Sequence, residues 1–130
     1  MPGRSYPEAA EQMALVEHYE RYCNAEAREL IGALVYTPND ELRDPRRGAK
    51  AKKMGLVPGQ PDLTLYISRK GHGALLIEMK SATGRASPKQ DAIIEMRRAQ
   101  GYRVEVCRGF LAAWAAVADY LDLPPRWHVR

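Results

Sequence analysis

The spacing of apolar positions changes along the chain, and each spacing predicts an element. Leu15, Tyr19 and Tyr22 recur at i, i+4 and i+7 between Glu8 and about Cys23, the stripe of an amphipathic helix with Pro7 just outside its start. Asn24 is placed to cap a short second helix, EARELI, ending at Gly32. The apolar run from Ala33 to Tyr36 reads as a strand closed by Pro38-Asn39-Asp40. Glu41 to Met54 is then a basic helix or helical loop, interrupted by Pro45 and stopped by Gly55, and VPGQP is turn chemistry.

From Asp62 the period becomes two. DLTLYI alternates as a strand to Ile67, SRKGHG is a hairpin connection, and ALLIEM, from Ala74 to Met79, is the partner strand. Ser87-Pro88 puts a capping hydroxyl and a first-turn proline at the start of a helix running to about Gln100. Gly101 stops it, Tyr102 to Cys107 is a strand, and Gly109 opens a last helix from Phe110 to Leu121 with Phe110, Trp114 and Val117 as core positions. The order α, α, β, α, β, β, α, β, α predicts an α/β fold. A hairpin followed by a strand–helix–strand crossover gives a mixed central sheet flanked by helices on both faces.

Composition narrows the class. With 130 residues, 45% hydrophobic and 28% charged, the expectation is one compact domain over residues 1–130, its core about 8–121 and its tail short; a disordered chain is excluded. No apolar run approaches the ~18–20 residues that span a bilayer, and the first residues lack a signal-peptide core, so a cytoplasmic protein is expected. Cys23 and Cys107 are read as reduced, buried thiols with no neighbouring His to activate them. His18, His72 and His128 have no zinc-ligand spacing, and His72 is expected exposed in the hairpin turn.

Charge is segregated. Residues 1–31 hold three bases and six acids, whereas 43–54 hold six bases and one acid, and 80–108 seven bases and three acids. Arg46, Arg47, Lys50, Lys52 and Lys53 therefore form either a solvated face or an arm that contacts phosphates, and a polyanion partner favours the arm.

The chemistry gathers on the hairpin. Residues i and i+2 of a strand share a face, so Glu78 and Lys80 point one way while Ile77 and Met79 point the other. An antiparallel hairpin brings the start of one strand beside the end of its partner, which lets Asp62 meet Glu78. Two converging carboxylates beside one ammonium are unfavourable unless a cation fills the gap, because like charges raise each other's pKa. A hard divalent ion such as Mg²⁺ fits that gap, using one or two carboxylates plus waters and phosphate, with the Met79 carbonyl as a further oxygen. Taken alone, the triple also reads as a surface Glu–Lys pair on a half-exposed strand.

Longer strings decide between these readings. PD precedes a hydrophobic strand, ExK ends the next, and Gln90 follows on the helix capped by Ser87, with Arg85 and Lys89 flanking the loop. This arrangement resembles the PD-(D/E)xK nuclease superfamily. GLVPGQPDL, LLIEMK, GRASPKQ and GYRVEVC, then a Phe/Trp-containing helix ending DYL, resemble the VRR-NUC family, particularly its stand-alone bacterial and phage members. Glu11-Gln12 and TPND resemble that family's helix-one Glu-Gln and its Pro-Asn turn, so the likeness covers about residues 8–121. TPND is followed by ELRDPRRG rather than a glycine-rich turn, a departure in the substrate-gripping loop.

The resemblance implies a restriction-endonuclease-like core and cleavage of DNA phosphodiesters with Mg²⁺, or Mn²⁺ in its place, leaving 5′-phosphate and 3′-hydroxyl ends. Asp62 and Glu78 would hold the metal, Lys80 would handle the water, and Gln90 would support the site. Glu11 would join the metal shell, with Glu8, one turn earlier, as its competitor. A homodimer acting on branched DNA such as four-way junctions is implied as well. The rivals are a sequence-specific or exonucleolytic nuclease, and a nucleic-acid-binding module without turnover.

Overall fold

The computed structural model of the protein describes residues 7–38 and 44–129. Asn39-Asp40 of the expected turn and residues 41–43 of the expected basic helix lie outside the described residues. Helix α1 spans Pro7–Glu26, β1 Leu34–Tyr36, α2 Pro45–Lys53, β2 Leu63–Leu65, β3 Leu75–Lys80, α3 Pro88–Ala99, β4 Arg103–Arg108 and α4 Phe110–Leu121. The sheet runs β1-β2-β3-β4; its first three strands are antiparallel and β4 lies parallel to β3. A parallel neighbour needs a crossover, and α3 supplies it. The expected α/β architecture with a mixed central sheet is what the chain adopts.

Both faces of the sheet are covered. Leu63, Leu65, Leu75, Ile77, Met79 and Cys107 pack on one side against Leu15, Tyr19 and Cys23 of α1 and Trp114, Val117 and Tyr120 of α4. On the other side, Ala74, Leu76 and Val104 meet Ile94 of α3. The two-residue period of β3 thus sends odd positions under α1 and α4 and even positions toward α3. Glu78 is an even position, and it is the one charged side chain that is buried among the described residues, at 3% exposure.

Four sequence expectations change. Asn24 caps nothing: α1 continues through Glu26, because Ala25 and Glu26 are better helix formers than Asn24 is a stop. The expected second helix is only a 3-10 turn, Arg28–Leu30. Pro45 does not interrupt a helix but begins α2, with the Asp44 carboxylate accepting from the backbone N–H of Arg46 at 2.9 Å. His72 is half-buried rather than exposed, its backbone exchanging hydrogen bonds with Arg69 across the turn.

Both cysteines are free and buried. Burial raises both thiols, that of Cys107 to about 12, which suits apolar packing rather than nucleophilic work.

Candidate active site

The register of the hairpin builds the site. Leu63 pairs with Ile77, so Asp62, one residue before β2, stands opposite Glu78. The Asp62 Oδ2 accepts from the Met79 N–H at 2.8 Å, which ties the carboxylate to the strand bearing Glu78. The Met79 side chain lies in the core, leaving its backbone between the two acids.

Gln90 closes the other side. Its Nε2 donates to Glu78 Oε2 at 3.1 Å, and its Oε1 accepts from Lys80 Nζ at 3.0 Å. Lys80 Nζ also lies 3.2 Å from Glu78 Oε2, and only 12% of the Lys80 side chain is exposed. The same Gln90 Oε1 accepts from the Ser87 N–H at 2.9 Å, while Ser87 Oγ accepts from the Gln90 N–H. This reciprocal capping box fixes the first turn of α3 and, through it, the amide that holds the acid and the ammonium together. Gly59 lets the preceding loop approach that turn. Its φ is +88°, and a Cβ there would lie 3.2 Å from the Lys89 carbonyl oxygen and 3.3 Å from the Gln90 nitrogen.

The electrostatics are those of a crowded acid pair. Burial raises the Asp62 pKa most, opposed by the Met79 hydrogen bond and the Lys80 charge, with Glu8 adding to the rise. Glu78 is pushed up to about 7, first by burial and then by Asp62, against the pull of Lys80. One ammonium does not neutralise two carboxylates, one buried and one half-buried. Among the described residues no N–H reaches Asp62 Oδ1 or Glu78 Oε1; the two carboxyls lie within hydrogen-bonding reach of each other, which lowers Asp62 and raises Glu78. Nor do three His, Cys, Asp or Glu side chains converge as a preformed cage among the described residues.

The two helix-one acids part company. Glu11, expected at the metal shell, spends its carboxylate as a cap: Oε2 accepts from the Phe110 N–H at 2.7 Å, at the start of α4. Glu8 Oε1 instead accepts from the Ser81 N–H at 3.3 Å, one residue past Lys80, and its charge is felt at Asp62. Lys80 pairs with Arg108 in the parallel register, so Ser81 and Gly109 end neighbouring strands and the first turns of α1 reach across both.

Arg46, Arg47, Lys50, Lys52 and Lys53 are all exposed on α2, and Arg85, in the loop after β3, and Lys89, on α3, are exposed as well. Lys52 and Lys89, with Pro45, Gly48, Ala49 and Pro58, line one groove, so the basic helix faces the first turn of α3. The sequence reading missed Arg108, whose guanidinium donates to the Ser81 carbonyl at 3.0 Å and to the Gly84 carbonyl, holding the loop after β3. Its only signal is an arginine closing an apolar strand.

A family model described as VRR-NUC domain matches residues 7–111. A solved structure described as "VRR_NUC domain protein" is similar to the chain with a TM-score of 0.77 and 26% identity, covering 92% of each chain. No curated protein matches the chain. No helix among the described residues is long and apolar enough to cross a membrane. The family match spans both strands of the hairpin, the capping box of α3 and β4, and the likeness in fold extends over nearly all the rest: the chain belongs to the VRR-NUC domain family and carries a nuclease-type domain.

Proposed function

We propose that the protein is a Mg²⁺- or Mn²⁺-dependent endodeoxyribonuclease, selective for branched DNA such as four-way junctions and acting as a homodimer. The observation that carries the reading is half-buried Asp62 opposite buried Glu78, with Glu78 joined to Lys80 both directly and through Gln90. A binding module gains nothing from two acids aimed at phosphate.

The residues fit a hard divalent ion. Among the described residues each acid keeps an oxygen that no N–H reaches, and both carboxyls, close enough to hydrogen-bond to each other, are raised first by burial. Asp62, Glu78 and the Met79 carbonyl would hold it, with Glu8 rather than Glu11 as the further acid, because Glu11 already caps α4. Such an ion, when bound, lowers the pKa of water and offsets charge on the phosphoryl oxygens.

The chain itself supplies orientation. Gln90 divides its amide between Glu78 and Lys80, fixing the ammonium on the same face as the acids. There Lys80 can donate to an attacking water or to a non-bridging phosphate oxygen. Arg46, Arg47, Lys50, Lys52 and Lys53 would track the strand toward the Lys52–Lys89 groove, and Arg85, exposed in the loop after β3, would add a further phosphate contact. Among the described residues there is one such acid pair and one basic helix. A symmetric pair would offer two sites to the two equivalent strands of a junction.

The test is cleavage of an end-labelled four-way junction, a flap and a plain duplex in Mg²⁺, Mn²⁺ and EDTA. Nicks near the branch point, absent in EDTA, are expected. Laddered ends would instead assign an exonuclease, and cuts at one sequence in plain duplex a sequence-specific enzyme. Salt-sensitive binding with no cleavage in either metal would assign the binding module.

A further inference from the structure

A cavity of about 510 Å³ opens on the same sheet face as the paired acids, between β2, the start of β3 and the C-terminal half of α3. Thr64 and Leu76, opposed across the hairpin, are part of its lining. Thr64 is the next residue after Asp62 on that face and Leu76 the one before Glu78. The cavity therefore begins about 7 Å along the strands from the carboxylates. Tyr66, 65% exposed, and Tyr102 also line it.

One polar group there is unsatisfied. Gln60 Oε1 accepts from Arg97 Nη2 at 3.0 Å, but the Gln60 Nε2 is buried with no partner among the described residues. A buried donor left unpaired costs about 1–3 kcal/mol, and a ligand acceptor removes that cost. Aromatic rings, an amide donor and a guanidinium around a cavity of small-ligand size form a site for a flat, polar, π-faced group.

We propose that this cavity receives one nucleobase, unstacked from its strand, next to the phosphate cleaved between Asp62 and Glu78. The inference rests on the nuclease reading and adds what the enzyme selects. Every base offers a π-face to the tyrosines and an edge acceptor to the Gln60 amide. A base inside an intact duplex is stacked on both sides about 3.4 Å from its neighbours, so only a base free of its stack can enter. Nucleotides at branch points are the easiest to free. Selection for branched DNA then comes from the cavity beside the acids rather than from the acids themselves.

The test uses the full chain, isotope-labelled and free of metal, titrated with dAMP, dTMP and deoxyribose 5-phosphate. Both nucleotides are expected to shift the Gln60 side-chain amide and the Tyr66 and Tyr102 ring signals, and the sugar phosphate is not. Gln60→Leu, close in volume, is expected to weaken nucleotide binding about fivefold. In cleavage of a forked DNA, an abasic site beside the scissile phosphate should raise KM for both proteins, and about fivefold more for the wild type than for Gln60→Leu, which keeps the tyrosines but has no amide to lose. Silence at Gln60, or equal shifts with the sugar phosphate, overturns the proposal. So does an abasic penalty of equal size in both proteins. The titration needs neither metal nor turnover, so failure to cleave any DNA sinks the nuclease reading, whereas silence at Gln60 in a protein that cleaves sinks only this inference.

Discussion

The backbone N–H of Met79 holds the carboxylate of Asp62 at 2.8 Å, so an acid that precedes one strand is positioned by the backbone of the next. Position and charge can therefore be separated. Asp62→Asn keeps a carbonyl oxygen to accept that hydrogen bond but removes the charge, whereas Asp62→Ala removes both. Cleavage should fall on the order of a thousandfold or more in both variants, while thermal unfolding should show Asn close to wild type and Ala less stable. Substantial cleavage by either variant would take Asp62 out of the metal site.

The raised carboxyls make a pH prediction for the metal-free protein. Glu78 sits at about 7 against an ordinary 4.5, because burial and Asp62 disfavour its charge. A carboxyl raised on folding binds its proton more tightly in the native state, so its stabilising contribution is present below about pH 4.5 and lost as pH rises through about 7. In EDTA the Tm should decline over that window, and Glu78→Gln should flatten the decline. Mg²⁺ should raise the Tm of the wild type at about pH 8, where the acids are charged, far more than at about pH 5. A metal-free Tm flat across the window would contradict the electrostatic account.

Gln90 acts through Glu78 and Lys80 rather than on the phosphate, which makes it a positioning residue. Gln90→Ala frees both partners and breaks half of the capping box. A loss of about 10- to 100-fold in kcat is expected, with roughly 1 kcal/mol of stability. Gln90→Glu retains an acceptor for the Ser87 N–H, so it should recover the stability, but a third carboxylate beside Glu78 should shift the pH profile of kcat upward. Recovery of stability and activity together would reduce Gln90 to a helix cap.

The hairpin was legible because its register follows from alternation. Once DLTLYI and LLIEMK are paired, Asp62 and Glu78 must meet, and the structure opposes Leu63 with Ile77 accordingly. Ser87-Pro88 was legible because capping chemistry is local. The helix-one acids were not. Glu8 and Glu11 lie three residues apart on one helix face, and which reaches β3 and which reaches α4 depends on how α1 crosses the ends of two parallel strands. No local pattern encodes that crossing. Gln60 was equally silent, since its unpaired amide arises only when Arg97, 37 residues away, takes its other end.

The basic helix predicts a salt signature. Lys50, Lys52 and Lys53 are exposed on α2, and Lys52 faces the groove it shares with Lys89. If each contacts one phosphate, changing all three to Gln should lower the slope of log K against log salt by about 3 × 0.9. KM at moderate salt should rise and kcat should hold, because none of the three touches the acids. An unchanged salt slope would return α2 to a solvated face.

The two acids of α1 offer the sharpest discrimination, because each has a different job in the structure. Glu11 caps the start of α4 through the Phe110 N–H, beside Gly109, whose φ of +93° brings the chain against that carboxylate. Glu11→Ala should therefore destabilise the fold by about 1 kcal/mol and leave metal affinity unchanged. Glu8 accepts from the Ser81 N–H at the end of β3 and adds negative charge beside Asp62. Glu8→Gln keeps an acceptor and removes the charge, so it should weaken Mg²⁺ binding several-fold at near wild-type stability. Titration calorimetry with Mg²⁺ and thermal unfolding on the two variants separate these roles. The reverse pattern, with metal affinity lost at Glu11 and kept at Glu8, would mean that α1 shifts when the ion binds and that the Phe110 cap is given up to it.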